Sequence, residues 1–287
     1  MNQQTVDFWM RSAMERLSAC GADAPRLEAT WLLMHATGWT KAQVLVRAHN
    51  VLPPDVQTKL DAFLERRQRR EPIQYILEEA EFYGLTFRVS SDVLIPRPET
   101  EELVEAVVET IRHLAEPRVL DIGTGSGCIA VTLQHLLPHA QVWACDVSEA
   151  ALILARANAE RLNLSVKCLR ADVLHEKQFS EAVGTNWDAW VANPPYILAA
   201  ERADLQPEVR DFEPQLALFV ENDPLLFYRA IARQARQALK SGGWLWFECH
   251  TDFAEDVTQL LQSLGFAHAR TQSDAFGLPR MSGGQWL

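Results

Sequence analysis

The chain has 287 residues, 48% of them hydrophobic, and a formal net charge of −11, which suits two domains and a sizeable core. Residues 1–72 carry 10 Lys/Arg against 8 Asp/Glu, and the remainder 17 against 30. So acidic a C-terminal portion argues against a long nucleic-acid duplex as substrate, because phosphate contacts need Lys and Arg.

Residues 1–75 read as a small helical bundle. Val6, Trp9, Met10, Ala13, Met14 and Leu17 recur at helical spacing, with Gly21 as a stop. Pro25 opens a second helix, with Leu27, Thr30, Trp31, Met34 and His35 as its packing stripe and an end near Gly38. Thr40 caps a short third helix. Pro53-Pro54-Asp55 opens a fourth that reaches Arg70. Its end, Arg66-Arg67-Gln68-Arg69-Arg70, either complements the helix dipole or offers a basic patch to an acidic partner. Residues 76–97 form a linker, in which the alternation from Glu81 to Ile95 around Gly84 predicts a β-hairpin. Residues 98–287 form the second domain. A helix runs from Glu99 to Leu114. From Arg118 onward strands alternate with helices, which predicts a doubly wound α/β sheet. Later strands fall at Trp244–Glu248, at Ala267–Arg270 and near the C-terminus.

The five cysteines are scattered without a C-x-x-C spacing and read as buried thiols of a reducing compartment. The histidines show no metal-ligand spacing, and no metal is expected. The stretch Met1–Asp7 does not read as a signal peptide, and no apolar run approaches the ~18 residues of a membrane span. A cytoplasmic protein without membrane contact is expected.

Two motifs carry chemistry. The apolar strand Val119–Ile122 runs into Gly123-Thr124-Gly125-Ser126-Gly127, which opens a helix from Cys128 to Gln134. Glycines there let a ligand approach the backbone. No Lys-Ser/Thr follows, so this is not a phosphate-cradling loop. The next strand, Gln141–Cys145, ends in Asp146, which can take the hydroxyls of a ribose or cap the helix starting near Ser148. A third, Val166–Arg170, ends near Asp172, placed to meet an adenine. The second motif is Asn193-Pro194-Pro195-Tyr196, behind the buried strand Trp187–Ala192. Asn193 offers a side-chain carbonyl and Pro194 a main-chain carbonyl, stiffened by two prolines. Tyr196 offers a flat face. Together they suit gripping a planar NH2 group, with its nitrogen lone pair directed at an electrophile.

The glycine loop, Asp146 and Asn193-Pro194-Pro195-Tyr196-Ile197 resemble class I S-adenosylmethionine-dependent methyltransferases of amides and exocyclic amines. The runs Glu79–Leu85 and Val93–Glu101, with Arg26–Ala29, Glu71–Ile76 and Glu213–Leu218, resemble the HemK/PrmC family of protein-(glutamine-N5) methyltransferases. This resemblance spans nearly the whole chain. It implies a Rossmann-like sheet behind a helical substrate-docking domain. It implies S-adenosylmethionine bound by Gly123, Thr124, Gly125, Ser126, Gly127, Asp146, Asp172, Val173 and Asn193. Catalysis would fall to Asn193, Pro194 and Tyr196, with Pro195 also at the substrate. The substrate would be the Gly-Gly-Gln loop of a peptide chain release factor, bound by a monomer without stable nucleic-acid binding. The alternatives are a DNA or RNA adenine-amine methyltransferase, which would grip a flipped base with the same tetrapeptide, and a cofactor-binding regulator without catalysis. The chain departs from the family pattern at Glu78, at Val220–Asp223 and at Cys249–Asp252. It also contains Gly283-Gly284-Gln285, the tripeptide the family modifies, read here as coincidence.

Overall fold

In the computed structural model, which describes residues 4–287, Thr5 caps the first helix by accepting from the Phe8 N–H at 3.3 Å. Residues 1–3, part of the amino-terminal stretch discussed above, lie outside the described residues. Helix α1 (Val6–Ala19) buries Val6, Trp9, Ala13 and Leu17, the face its periodicity predicts. Helix α2 (Pro25–Thr37) starts on its proline and stops at Gly38, whose φ of 69° is left-handed. Its buried face is not the expected stripe. Glu28, Ala29, Leu32 and Leu33 lie inside, whereas Leu27 and Trp31 are 40% and 39% exposed. The cause is polar: Glu28 turns inward to receive Arg67 at 2.8 Å. A buried carboxylate is tolerable only when paired in this way. Helices α3 (Lys41–Val46), α4 (Pro54–Gln68) and α5 (Ile73–Leu77) follow, α3 behind a capping box of Thr40 and Gln43.

The arginine cluster ending α4 is consumed internally. Arg66 pairs with Glu71, Arg67 with Glu28 and Glu208, and Arg70 with Glu208. The basic-patch reading therefore fails for these three residues. Glu208 belongs to Gln206–Phe212, a segment that packs with the helices although it lies far along the chain. The first unit ends at Glu78 and adds Gln206–Phe212; the second comprises Glu79–Leu205 and Glu213–Leu287. Glu78, where the resemblance implies a glycine, ends α5 at φ 57°, ψ 21°. That left-handed conformation favours glycine.

The second unit opens with a hairpin of β1 (Glu79–Phe82) and β2 (Leu85–Arg88). Tyr83 and Gly84 both have positive φ, as a two-residue type I′ turn requires. The hairpin is shorter than expected. After Arg88, Ser90 accepts from the Asp92 and Val93 N–H groups, so a turn replaces pairing up to Ile95. The chain continues through α6 (Glu99–Ile111), β3 (Arg118–Ile122), α7 (Cys128–Leu136), β4 (Gln141–Asp146), α8 (Glu149–Arg161), β5 (Val166–Arg170), α9 (Glu176–Val183) and β6 (Trp187–Ala192). Next come β7 (Ile197–Leu198), α10 (Pro207–Phe212, within the segment packed on the first unit), α11 (Gln215–Leu218), β8 (Phe219–Val220) and α12 (Leu226–Ala238). Last are β9 (Leu239–Glu248), α13 (Ala254–Ser263), β10 (Ala267–Ser273) and β11 (Pro279–Gln285).

The main sheet has the order β10-β11-β9-β6-β3-β4-β5. Strands β9, β6, β3, β4 and β5 run parallel, and β11 enters antiparallel between β9 and β10. Successive residues alternate between two cores. Val119 packs with α6 and α7, and Leu120 with α9, α12 and α13. The chain moves outward from β3 to β5, then returns to β6 on the other side of β3. That reversal is a topological switch point, where open α/β sheets bind ligands.

Gly283 and Gly284 lie in β11, where an added Cβ would come within 2.3 Å of the Trp246 ring and 2.9 Å of Phe266 respectively; the tripeptide is a packing solution. All five cysteines are free, but only Cys128, Cys145 and Cys249 are buried. Cys20 follows a helix end and Cys168 sits on edge strand β5, so both stay partly exposed. Among the described residues no helix is long and apolar enough to cross a membrane, and no group of three or more His, Cys, Asp or Glu could hold a metal.

Candidate active site

A cavity of about 400 Å³ lies at the switch point, lined by residues after the carboxyl ends of β3, β4, β5 and β6. The segments Ser91–Leu94 and Pro96-Arg97 add to its wall, as do Pro214, Leu216 and Ala217. Gly123, Thr124, Gly125, Ser126, Asp146, Asp172, Val173, Asn193, Pro194 and Pro195 all line it. Gly127 and Tyr196, the remaining expected site residues, do not.

The glycine loop is held through its main-chain groups and by side chains around it, among them Asn158 of α8, which donates to the Ser126 carbonyl at 2.9 Å. The Gly123 and Thr124 N–H groups both donate to the Cys145 carbonyl, at 2.9 and 3.0 Å. The Gly125 N–H donates to Asp146 at 3.0 Å. Gly123 and Gly125 have positive φ, and an added Cβ at either would meet no atom within 4 Å. Gly127 serves packing instead: a Cβ there would lie 3.0 Å from the Ala155 Cβ on α8.

Asp146 accepts from Gly125 through one oxygen and from the Ser148 N–H, at 2.9 Å, through the other. The cap of α8 is Ser148, not Asp146. Burial raises the Asp146 pKa, against the hydrogen bonds from Ser148, Gly125 and Val147. Asp172 accepts from the Leu174 N–H and meets His175 at 2.7 Å. Beneath the loop lies Asp121, fully buried on β3. It accepts from the Thr124 hydroxyl at 2.6 Å and from the Ala130 N–H of α7 at 3.2 Å. Burial pushes its pKa up to about 7, against those two hydrogen bonds and with help from Asp146.

The tetrapeptide leaves β6 and runs directly into β7, which pairs with β8. Asn193 donates through Nδ2 to the Thr100 hydroxyl at 3.4 Å. Thr100 in turn donates to Glu248, the last residue of β9, at 2.6 Å. Thr100 and Glu248 are buried. Tyr196 packs edge-on against His250, their ring centroids 5.8 Å apart, and burial raises its pKa. His250, one of the departures from the family pattern, thus backs the tetrapeptide. Across the cavity, Glu213 accepts from Arg97 at 2.6 Å and from the Ile95 N–H at 3.3 Å, joining two of the family-like runs.

Sequence reasoning missed the roles of Asp121, Thr100, Glu248, Arg97 and Glu213. All five lie inside stretches quoted above, but only the fold gives them partners.

The PrmC N-terminal domain family matches residues 9–77, and the methyltransferase small domain family matches residues 100–206. Release factor glutamine methyltransferase of Bacteroides thetaiotaomicron is 44% identical over 226 residues, covering 78% of this chain and 80% of that protein. Its namesake from Geobacter sulfurreducens is 42% identical over 270 residues, covering 94% and 92%. The crystal structure of the hMettl16 catalytic domain in complex with MAT2A 3'UTR hairpin 6 aligns at a TM-score of 0.56 and 19% identity, over 83% of this chain and 84% of that one; this likeness concerns the fold alone. The chain belongs to the release factor glutamine methyltransferase family.

Proposed function

We propose that this chain transfers a methyl group from S-adenosylmethionine to the side-chain amide nitrogen of the glutamine in the Gly-Gly-Gln motif of a peptide chain release factor. The observation that carries the reading is one cavity lined by both the glycine loop with Asp146 and Asn193-Pro194-Pro195. Its size falls in the ~300–1,000 Å³ range of small-molecule sites. The open space over Gly123 and Gly125 is room for a ligand against bare backbone. Thr124, Ser126, Asp172 and Val173 complete that cofactor end, with Asp146 taking the ribose.

When bound, S-adenosylmethionine supplies an electrophilic methyl group on its sulfonium. The chain's task is orientation. An amide nitrogen is a poor nucleophile, because its lone pair is delocalised into the carbonyl. Asn193 Oδ1 and the Pro194 carbonyl accept its two N–H bonds and hold the lone pair toward the methyl. Pro195 stiffens that grip, and Tyr196 stands beside it. Orientation of this kind contributes several kcal/mol, and no strong base is needed. The helical unit supplies the remote contacts that a lone glutamine cannot. A monomer acting in the cytoplasm, where translation takes place, fits this substrate.

The test is transfer of a labelled methyl group from S-adenosylmethionine to purified release factor, with DNA and RNA offered in parallel. Labelled release factor is expected. Label on nucleic acid alone would transfer the assignment to a base-amine methyltransferase.

A further inference from the structure

We propose that Thr100 and Glu248 are positioning residues that fix which end of the Asn193 amide faces the substrate; this rests on the function proposed above. A side-chain amide presents a donor at one end and an acceptor at the other. Only the carbonyl end can accept from a substrate NH2.

Hydrogen counting decides the orientation. Thr100 has one hydroxyl hydrogen, and the 2.6 Å contact places it on Glu248. What Thr100 then offers Asn193, 3.4 Å away, is lone pairs. Glu248, when ionised, is acceptor-only, and the Asn193 amide favours that charged form. Both neighbours demand the NH2 end, so Oδ1 is the end left for the substrate. Thr100 is 2% exposed and Glu248 3%, so water does not compete. Three elements meet here: α6 brings Thr100, β9 brings Glu248, and the turn after β6 brings Asn193.

The arrangement depends on Glu248 being ionised. If it is protonated, it donates to Thr100. The Thr100 hydrogen then turns toward Asn193 and selects Oδ1, and the amide presents the wrong end to the substrate. Burial raises the Glu248 pKa to about 6, opposed by the hydrogen bond from Thr100 and by Arg280, reinforced by Glu99, and opposed again by the Asn193 amide. Tyr196, Tyr228, Cys249 and Cys128 also sense its charge. Burial raises the pKa of each of these four, so they stay neutral near pH 6.

The experiment measures release factor methylation at saturating S-adenosylmethionine. Wild type is compared with Thr100→Val, Thr100→Ser and Glu248→Gln, and cofactor affinity is measured by calorimetry. Thr100→Val keeps the volume and loses the hydroxyl. It is expected to lower kcat at least ~10-fold, with cofactor Kd within about twofold of wild type. Thr100→Ser is expected to restore kcat to within about threefold of wild type. Wild-type kcat should fall about tenfold from pH 7.5 to about pH 5, and Glu248→Gln should lose that acid limb. Full kcat in Thr100→Val, a Thr100→Ser as impaired as Thr100→Val, or an unchanged acid limb in Glu248→Gln would overturn the positioning role. A wild-type enzyme inert toward release factor would instead overturn the function beneath it.

Discussion

The two ends of the cavity are built by different means. At the cofactor end, the loop after β3 is tied to the end of β4 by main-chain donors to the Cys145 carbonyl and the Asp146 carboxylate. The partners in these ties lie within 22 residues of sequence. At the acceptor end, Asn193 is held by a side chain 93 residues away, which is itself held by another 148 residues away. Backbone ties survive most side-chain changes. A chain of side-chain hydrogen bonds fails when any member is replaced, because buried polar groups are then left unpaired. The cofactor end is therefore a robust platform, and the acceptor end the part whose chemistry single residues can tune.

The sharpest contrast is Asn193→Ala. It should reduce kcat at least ~100-fold, about 2.7 kcal/mol of transition-state stabilisation, while cofactor affinity by calorimetry changes less than about threefold. Parallel loss of both would mean the ends are not separable. Asp146→Ala should do the opposite. Cofactor affinity should drop at least ~10-fold, since hydrogen bonds to a carboxylate contribute about 1.5–3 kcal/mol. Turnover at saturating cofactor should fall far less.

Gly127→Ala probes the platform itself. With φ at 82° and Ala155 3.0 Å from the added Cβ, the variant should lose about 2 kcal/mol in urea unfolding. An unchanged midpoint would show that α7 and α8 can part to admit it. A pH-dependent effect concerns Asp121, whose burial raises its pKa to about 7 in the folded chain against an ordinary 3.8. Between those values the folded chain keeps a proton that the unfolded chain has released, so stability falls as pH rises through that window and levels off above 7. Asp121→Asn removes this contribution. Its Tm should therefore fall less than wild type's between about pH 5 and about pH 7. Parallel Tm curves would contradict the assigned burial cost.

What could be read from the sequence follows the same division. The glycine loop, Asp146 and the tetrapeptide are contiguous or sit at strand ends, and local pattern places them. The sheet's alternation and the start of α6 at Glu99 were legible for the same reason. Thr100 and Glu248 were not, because nothing local marks a buried pair joined across 148 residues. Gln206–Phe212 was missed likewise: only Arg67 and Arg70, meeting Glu208 at 3.0 and 2.6 Å, reveal its place with the helices. Periodicity misjudged α2 because the inward residue is charged, and apolar stripes cannot report a buried Glu28–Arg67 pair. The apolar pattern overextends the hairpin: Val89, Val93 and Ile95 continue it and are all buried, but the turn at Ser90 has already ended the pairing.

The most direct test of the central claim is mass spectrometry of purified release factor after incubation with the enzyme and S-adenosylmethionine, using wild type and Asn193→Ala side by side. One added methyl group on the glutamine of the Gly-Gly-Gln loop, formed by wild type and nearly absent with the variant, is the result this account requires. Methylation at another residue, none at all, or equal modification by the variant would contradict it.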